Sequence, residues 1–290
     1  MNTFVCVVVP VYNRKNYLNK FLLSFQKQTF KNYKIIVVDD GSNDGTDLMI
    51  NTNFPEVILL KGDGNLWWTG AINKGIKYCL DNFQNIDYFL IINDDLEVYE
   101  NYLQTLVEAI LQNPKTLIGS VAVDIEQPDV IIYGGSLNNA LTAKGISLNK
   151  GKKLSSFPKN TTFNVSTLTG RGVLIPKIVF DEIGLYDDKH FKQCGDTELP
   201  ARAKNKGYKL LVSYSAIVLS HTSATNDINR KKTYSLSDFK KKFFNVRSNS
   251  NLKYLFFYAW NSSKNPFYFV SYFICDLLRN LYHYFVRLKL

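Results

Sequence analysis

The sequence predicts an α/β protein built on a mainly parallel sheet, with a basic, aromatic helical region at its C-terminal end. Three observations lead there. Strand-like apolar runs alternate with helix-like segments over residues 4–92, the pattern that βαβ crossovers produce. Two of these runs end abruptly in paired aspartates. Charge and aromatic content then change together: residues 227–290 carry twelve Lys or Arg against three acids, and 17 of the 41 aromatic residues, whereas residues 1–226 are nearly neutral. The chain therefore divides into a body, residues 1–226, with halves of about 1–116 and 117–226, and a C-terminal region, 227–290.

Each element has its own warrant. Phe4–Val11 is continuously apolar, as a strand buried on both faces must be. Asn16–Gln28 carries Tyr17, Phe21, Leu22 and Phe25 at helical spacing. Lys34–Val38 is the second strand, and the turn and cap residues from Ser42 to Thr46 lead into a short helix around Asp47–Asn51. Val57–Leu60 is a third strand, and Thr69–Leu80 a helix introduced by Gly70. Tyr88–Ile92 is a fourth strand, followed by Asn93-Asp94-Asp95 and a helix over Val98–Gln112. Beyond Leu117, short apolar runs (Ile118–Val123, Val130–Tyr133, Val173–Ile175, Leu210–Val212, Ile217–Leu219) are separated by polar stretches. Gly134–Asn164 is long and Lys/Asn/Ser-rich, the character of a functional lid or a disordered loop. A Rossmann-like sheet follows. No GxGxxG follows the first strand, which argues against a nicotinamide or flavin dehydrogenase.

Composition narrows the class further. A chain of 290 residues with 46% hydrophobic content can bury one large α/β core with an appendage. No uncharged apolar run approaches the ~20 residues of a spanning helix, and the chain enters its first strand without a leader. Four scattered cysteines and three separated histidines suggest neither a disulfide framework nor a zinc cluster. A reducing, cytosolic setting is expected. Two adjacent carboxylates at a strand tip repel each other unless a cation joins them, and Mg²⁺ or Mn²⁺ binds through one or two carboxylates plus phosphate oxygens and water. Asp94-Asp95 thus reads as a metal-diphosphate site at the carboxyl edge of a sheet, or as a cap for the following helix.

Val8-Val9-Pro10-Val11-Tyr12-Asn13-Arg14, then Val37-Val38-Asp39-Asp40-Gly41-Ser42-Asn43-Asp44-Gly45-Thr46, then Asn93-Asp94-Asp95 resemble family 2 glycosyltransferases of the GT-A fold. The resemblance covers about residues 4–225 and implies an inverting transfer from a nucleotide sugar. It implies that Pro10 and Tyr12 line the base pocket and that Asp40 accepts from a base imide N–H, which suits uracil or thymine. It implies that Asp95 holds Mn²⁺ or Mg²⁺ and that Asp94 contacts the sugar-ribose region or a metal-bound water. Asn65, Trp67, Trp68 and Asn73 fall in a stretch that touches the donor in such enzymes; the two tryptophans read equally as core packing. Cys194-Gly195-Asp196-Thr197-Glu198-Leu199 resembles the element whose aspartate deprotonates the acceptor, which makes Asp196 the base and Glu198 the reserve. Gly195 stands where the family usually has an acid. Arg171 falls near the acceptor site, and His221 falls where related enzymes have a ligand to metal or phosphate.

The basic, aromatic C-terminal region suits the plane of a membrane interface, with packing on the body or homo-oligomerisation as alternatives and nucleic acid disfavoured. A polyprenyl-linked glycan acceptor would explain membrane docking, on the inner face of the cytoplasmic membrane. The resulting expectation is sugar transfer from a UDP- or dTDP-sugar to a glycan or lipid-linked glycan, in O-antigen or capsule assembly. The competing readings are a sugar-phosphate nucleotidyltransferase and a degenerate glycan-binding relative.

Overall fold

The computed structural model describes residues 3–221 and 233–288. Residues 222–232, which include the Lys231-Lys232 pair and the expected division at 226/227, lie outside the described residues.

The body begins with β1 (Val5–Val11), α1 (Lys15–Phe25), β2 (Tyr33–Asp39), α2 (Thr46–Asn53), β3 (Ile58–Lys61), α3 (Trp67–Asn82) and β4 (Tyr88–Ile92). It continues through β5 (Leu96–Val98), α4 (Tyr102–Leu111), β6 (Thr116–Asp124), β7 (Ile131–Tyr133), β8 (Ser136–Asn138), β9 (Gly145–Ser147) and β10 (Thr162–Asn164). It closes with β11 (Arg171–Pro176), α5 (Lys177–Ile183), α6 (Glu198–Asn205) and β12 (Lys209–Ser220). Three helices complete the described chain: α7 (Asp238–Phe243), α8 (Leu252–Ser262) and α9 (Pro266–Val286).

The main sheet runs β10-β12-β6-β11-β4-β1-β2-β3. β3, β2, β1 and β4 are mutually parallel, and antiparallel β11 joins them to β6, which pairs in parallel with β12. Strand alternation then builds two cores. Val5, Val7, Val9 and Val11 face α1 and α4 together with Val37, Leu90 and Ile92. Cys6 and Val8 face the other way, with Ile36, Val38, Phe89 and Ile91, onto α3, α5 and α6. A strand whose every residue is buried must therefore be apolar throughout, as β1 is.

Three expectations need correction. The segment after Asp95 is first the short strand β5, pairing with β12, and α4 starts only at Tyr102 behind Asn101. Asp94 and Asp95 therefore cap no helix. Leu210–Val212 and Ile217–Leu219 are one strand, β12, whose register against β6 shifts between Ser213 and Ile217; the polar residues of that bulge made it look like a loop. Gly134–Asn164 is an ordered excursion that includes the β8–β9 hairpin and edge strand β10. Its tip is held from outside the body: Arg279 donates to the carbonyls of Thr142 and Ala143, and Ser271 Oγ donates to Leu141 O at 2.9 Å.

The C-terminal helices are packed against the body. Tyr258, Ala259 and Tyr272 share a buried cluster with Ala143, Phe191 and Ala201. Asn261 Nδ2 donates to Glu198 Oε1 at 2.9 Å. Among the described residues, no helix is long and apolar enough to cross a membrane.

Candidate active site

The paired aspartates leave β4 at its carboxyl end and are buried. Arg14, just before α1, spans them: Nη1 lies 2.9 Å from Asp94 Oδ1 and Nη2 3.3 Å from Asp95 Oδ2. The turn that delivers Arg14 is fixed by Asn13, which adopts a positive φ of 51°. Asn13 N–H donates to Ser42 Oγ at 2.8 Å, and its Oδ1 accepts from Asn43 N at 2.8 Å. The β1 and β2 ends are thus tied into one rim. Burial alone would lower the pKa of Arg14, but the two carboxylates raise it. Burial pushes Asp94 up to about 7, partly opposed by Arg14 and reinforced by Asp95. Asp94 Oδ2 is buried and has no hydrogen-bond partner among the described residues.

That orphaned oxygen bears on whether a metal fits. Among the described residues no group of three or more His, Cys, Asp and Glu side chains is arranged to hold an ion. His221, expected as a ligand to metal or phosphate, places Nε2 2.9 Å from Glu97 Oε1 and packs its ring against Tyr17. Its backbone N–H does reach Asp95 O, at 3.3 Å. Asp94 and Asp95 offer hard oxygen donors, of which Asp94 Oδ2 is unsatisfied among the described residues. Such a set suits Mg²⁺ or Mn²⁺, which keep phosphate oxygens and water as their other ligands.

The donor-side residues divide into two groups. Tyr12 is exposed at the mouth of β1, and Pro10 is buried within that strand. Asp40 is occupied: Oδ1 accepts from Gly64 N (2.9 Å) and Leu66 N (3.2 Å), and Oδ2 from Trp67 N (2.8 Å). It shapes the loop before α3, and the inference of a base-reading role loses much of its free acceptor capacity. Gly41 belongs to the same construction, at φ 82°, where an added Cβ would lie 3.3 Å from Gly64 N. Asn73 is buried and exchanges two hydrogen bonds with the backbone of Tyr186, so it joins α3 to the 186 segment. Asn65 is exposed. Trp67, at φ 57°, lies beneath the Arg247 guanidinium, 5.5 Å from ring centre. Trp68 donates Nε1–H to Asn93 Oδ1 at 2.9 Å.

Asn93 leads to the base. Its N–H donates to Gly170 O at 2.9 Å, and Gly170 N–H donates to Asp196 Oδ2 at 3.1 Å. A Cβ at Gly170 would meet Asn93 Oδ1 at 2.8 Å, so this close approach demands glycine. Asp196 is half-buried at the start of α6, and loss of water raises its pKa, opposed by the Gly170 N–H and Arg171. Arg171 rests over the Tyr133 ring. Behind Asp196, Thr197 Oγ1 lies 3.2 Å from the Tyr254 hydroxyl of α8.

Glu198 is a different case. It is fully buried and held by Arg202, whose remaining N–H groups go to the carbonyls of Ile183 and Leu185. A carboxylate closed off in this way cannot reach an acceptor, and the reserve role as base is withdrawn. The departure at Gly195 also has a reason: a Cβ there would lie 2.3 Å from Thr69 Oγ1. The start of α3 sits so close to the 195 turn that an acid cannot be accommodated.

Residues 6–183 match the family described as Glycosyl transferase family 2. The chain belongs to that family. An uncharacterised glycosyltransferase of Rickettsia conorii is 30% identical over 197 residues, 64% of this chain and 29% of that protein. The chain thus spans less than a third of that relative's length. The N-acetylglucosaminyl-diphospho-decaprenol L-rhamnosyltransferase of Mycobacterium tuberculosis is 24% identical over 238 residues, 76% of this chain and 77% of that protein. Among solved structures, S. aureus TarS 1–349 superposes with a TM-score of 0.61 at 12% identity, over 97% of this chain and 72% of that one. GalNAc-T7 with UDP, GalNAc and Mn²⁺ gives 0.57 at 16% identity, over 75% and 44%. At these identities the structures show the fold, which is GT-A. A glycosyltransferase takes precedence over a nucleotidyltransferase.

Three features of the site had little signal in the sequence. Arg14 reads as the end of a strand motif until its fork is seen on the aspartates. Asn93 reads as a substituted acid and proves to be the joint between Trp68 and Gly170. Tyr254 and Tyr258 do stand four apart, the spacing of one helix face, and that face lies on the body rather than outside it.

Proposed function

We propose that this protein transfers a sugar, with inversion, from a UDP- or dTDP-sugar to a hydroxyl of a glycan or polyprenyl-linked glycan in surface polysaccharide assembly. One observation carries the reading: the Arg14–Asp94–Asp95 cluster and Asp196 meet at one sheet edge, linked through Asn93 and Gly170. A pair of acids for a cation and a separate base is what displacement at an anomeric carbon needs. Asp196 accepts the proton of the acceptor hydroxyl, and Gly170 and Arg171 orient it and favour its ionised form. Asp94 and Asp95 would hold Mn²⁺ or Mg²⁺, which supplies charge neutralisation for the departing diphosphate when bound. The burial of both carboxylates keeps water from competing there. The choice of a pyrimidine nucleotide follows from acceptor-only Asp40, most of whose capacity serves the 64–67 backbone but whose Oδ2 has a single partner among the described residues. The rhamnosyltransferase relative, named for a diphospho-decaprenol acceptor, supports a lipid-linked acceptor.

Calorimetry with UDP, dTDP, GDP and CMP, with and without Mn²⁺, tests the donor site. Metal-dependent binding of UDP or dTDP is expected, with at least a tenfold loss in Asp95→Ala, about 1.4 kcal/mol. A folded protein that binds none of the four overturns the reading.

Peripheral membrane contact on the cytoplasmic face is the second part of the proposal. Phe267, Val270, Ile274, Leu278, Tyr282 and Phe285 are exposed along α9 at spacings of three or four, which makes one apolar stripe. The surrounding region carries the chain's excess positive charge, worth about 1 kcal/mol per basic residue near an anionic surface. Sedimentation with anionic vesicles should carry down the wild type, and a Phe267→Ser/Leu278→Ser/Phe285→Ser variant should stay in solution with nucleotide binding unchanged. Equal sedimentation of both proteins rules the stripe out.

A further inference from the structure

We propose that the β8–β9 hairpin is a second lipid-binding element: together with the exposed stripe of α9 it forms one face that docks on an anionic bilayer and turns the acceptor half of the body toward it. This rests on the membrane contact proposed above and extends that contact from the C-terminal region to the body itself.

The chemistry of the hairpin is the first argument. Leu137 and Ile146 stand directly opposite each other in its two strands, so their side chains share one face. Leu137 is 41% exposed and Ile146 58%, and every residue of β9 is exposed. The pair belongs to a separate two-stranded sheet, which has no facing layer of its own to cover it. A small sheet left open to water ordinarily carries charge at such positions. Here the charge lies around the pair instead, and it has one sign. Residues 134–164 hold five lysines (Lys144, Lys150, Lys152, Lys153 and Lys159) and no acid. All five are exposed. The body as a whole nearly balances its bases and acids, so this stretch departs from its surroundings. Exposed aliphatic groups among cations alone complement an anionic headgroup layer with an apolar interior beneath it.

The second argument is where the tip is fastened. Ser271 Oγ donates to Leu141 O at 2.9 Å, and Arg279 donates to Ala143 O at 2.8 Å and to Thr142 O. Ser271 and Arg279 each follow a member of the stripe, Val270 and Leu278, by one residue on α9. The tip therefore runs along the flank of the stripe, and Leu141, 37% exposed, borders it. Ala143 is buried with Tyr258 and Tyr272, which makes the hairpin tip and the C-terminal helices one packed unit. The third argument is where the excursion begins. It leaves β7 directly after Tyr133, over whose ring Arg171 rests beside Asp196. The hairpin thus springs from the acceptor side of the site and not from the donor rim at the ends of β1 and β2. A bilayer that meets both the hairpin and α9 lies where a lipid-linked hydroxyl has to arrive.

The test is sedimentation of the full chain with vesicles of phosphatidylcholine and phosphatidylglycerol, for wild type, Leu137→Ser/Ile146→Ser and the α9 triple variant named above. The hairpin variant should partition about tenfold or more weakly than wild type, with an unchanged midpoint in urea. Ile146→Trp, measured against wild type, should show added fluorescence quenching by brominated lipid, a readout that holds even if the serine variant folds poorly. Undiminished partition of the hairpin variant, or no added quenching, overturns the proposal, and loss of partition in the α9 variant alone then keeps the stripe without the hairpin. Failure of the underlying membrane reading looks different: the wild type itself stays in solution, which ends both. A wild type that is dimeric without vesicles, beside a monomeric hairpin variant, assigns the pair to a second copy of the chain and also overturns the proposal.

Discussion

Replacing Asp196 with Asn lowers turnover by about 10² or more while leaving Mn²⁺-dependent nucleotide binding unchanged. The separation follows from where the side chain stands. Asp196 lies at the start of α6, on the acceptor side of Gly170, and touches none of the residues that would hold the diphosphate. Asn keeps the acceptor oxygen for the Gly170 N–H and loses only the capacity to take a proton. The pH dependence has a definite sign. Burial raises the pKa of Asp196, and the base must be ionised, so activity falls as pH drops through a value above the ordinary carboxylate range. Arg171 works against that rise, so Arg171→Ala should move the acid limb of kcat/KM further up. Stability moves oppositely. A carboxyl with a raised folded pKa binds its proton more tightly in the native state, a contribution fully present below the unfolded pKa and lost as pH rises through the folded one. At neutral pH the ionised Asp196 is therefore a cost, and Asp196→Asn should unfold at the same or a higher denaturant concentration than wild type. Turnover within threefold of wild type would remove Asp196 from the role of base.

What the sequence shows and hides follows from what each residue type reports. β4 is legible to the residue, because an apolar run buried on both faces ends where Asn93 and Asp94 begin. The helix read from Val98 fails because Val98 is apolar for another reason, its pairing in β5 opposite Val218. Asp40 and Asn73 carry the chemistry a donor site needs, yet sequence cannot say which backbone N–H or C=O reaches them first. Asp94, Asp95 and Asp196 were legible as acids at the ends of elements. Their connection through Gly170 was not, because β4 and β11 lie about 80 residues apart and meet only in the folded sheet. The aromatic excess of the C-terminal region was read as a surface property. The structure divides it: Tyr258, Tyr272 and Tyr284 are buried, while Phe267, Tyr282 and Phe285 face outward.

Glu198→Ala should cost about 3 kcal/mol of folding stability, because it leaves a half-buried guanidinium, its side chain 21% exposed, without its counter-charge. Arg202 meets Glu198 through both Nε and Nη2, and the carboxylate also accepts from Asn261 of α8 and from the Asp187 N–H at 3.4 Å. One side chain thus holds α6, the 183–187 segment and α8 together. Glu198→Gln keeps an acceptor for Arg202 and Asn261 and should lose less. Replacing Glu198 and Arg202 together with leucine should recover part of the loss, since it removes both charges from the interior at once. The contrast with a catalytic role is direct: a base at Glu198 would give an alanine variant of normal stability and little turnover, whereas a structural tie gives early unfolding in urea. A loss below 1 kcal/mol would contradict the structural assignment. The same tie changes how the C-terminal region must be tested. Deleting the chain from Ser235 onward would strip Asn261 from Glu198 and Tyr254 from Thr197, and would uncover Ala143, Phe191 and Ala201. Loss of vesicle binding after such a deletion would report unfolding as readily as loss of a docking face, so only point substitutions on the exposed stripe of α9 separate the two.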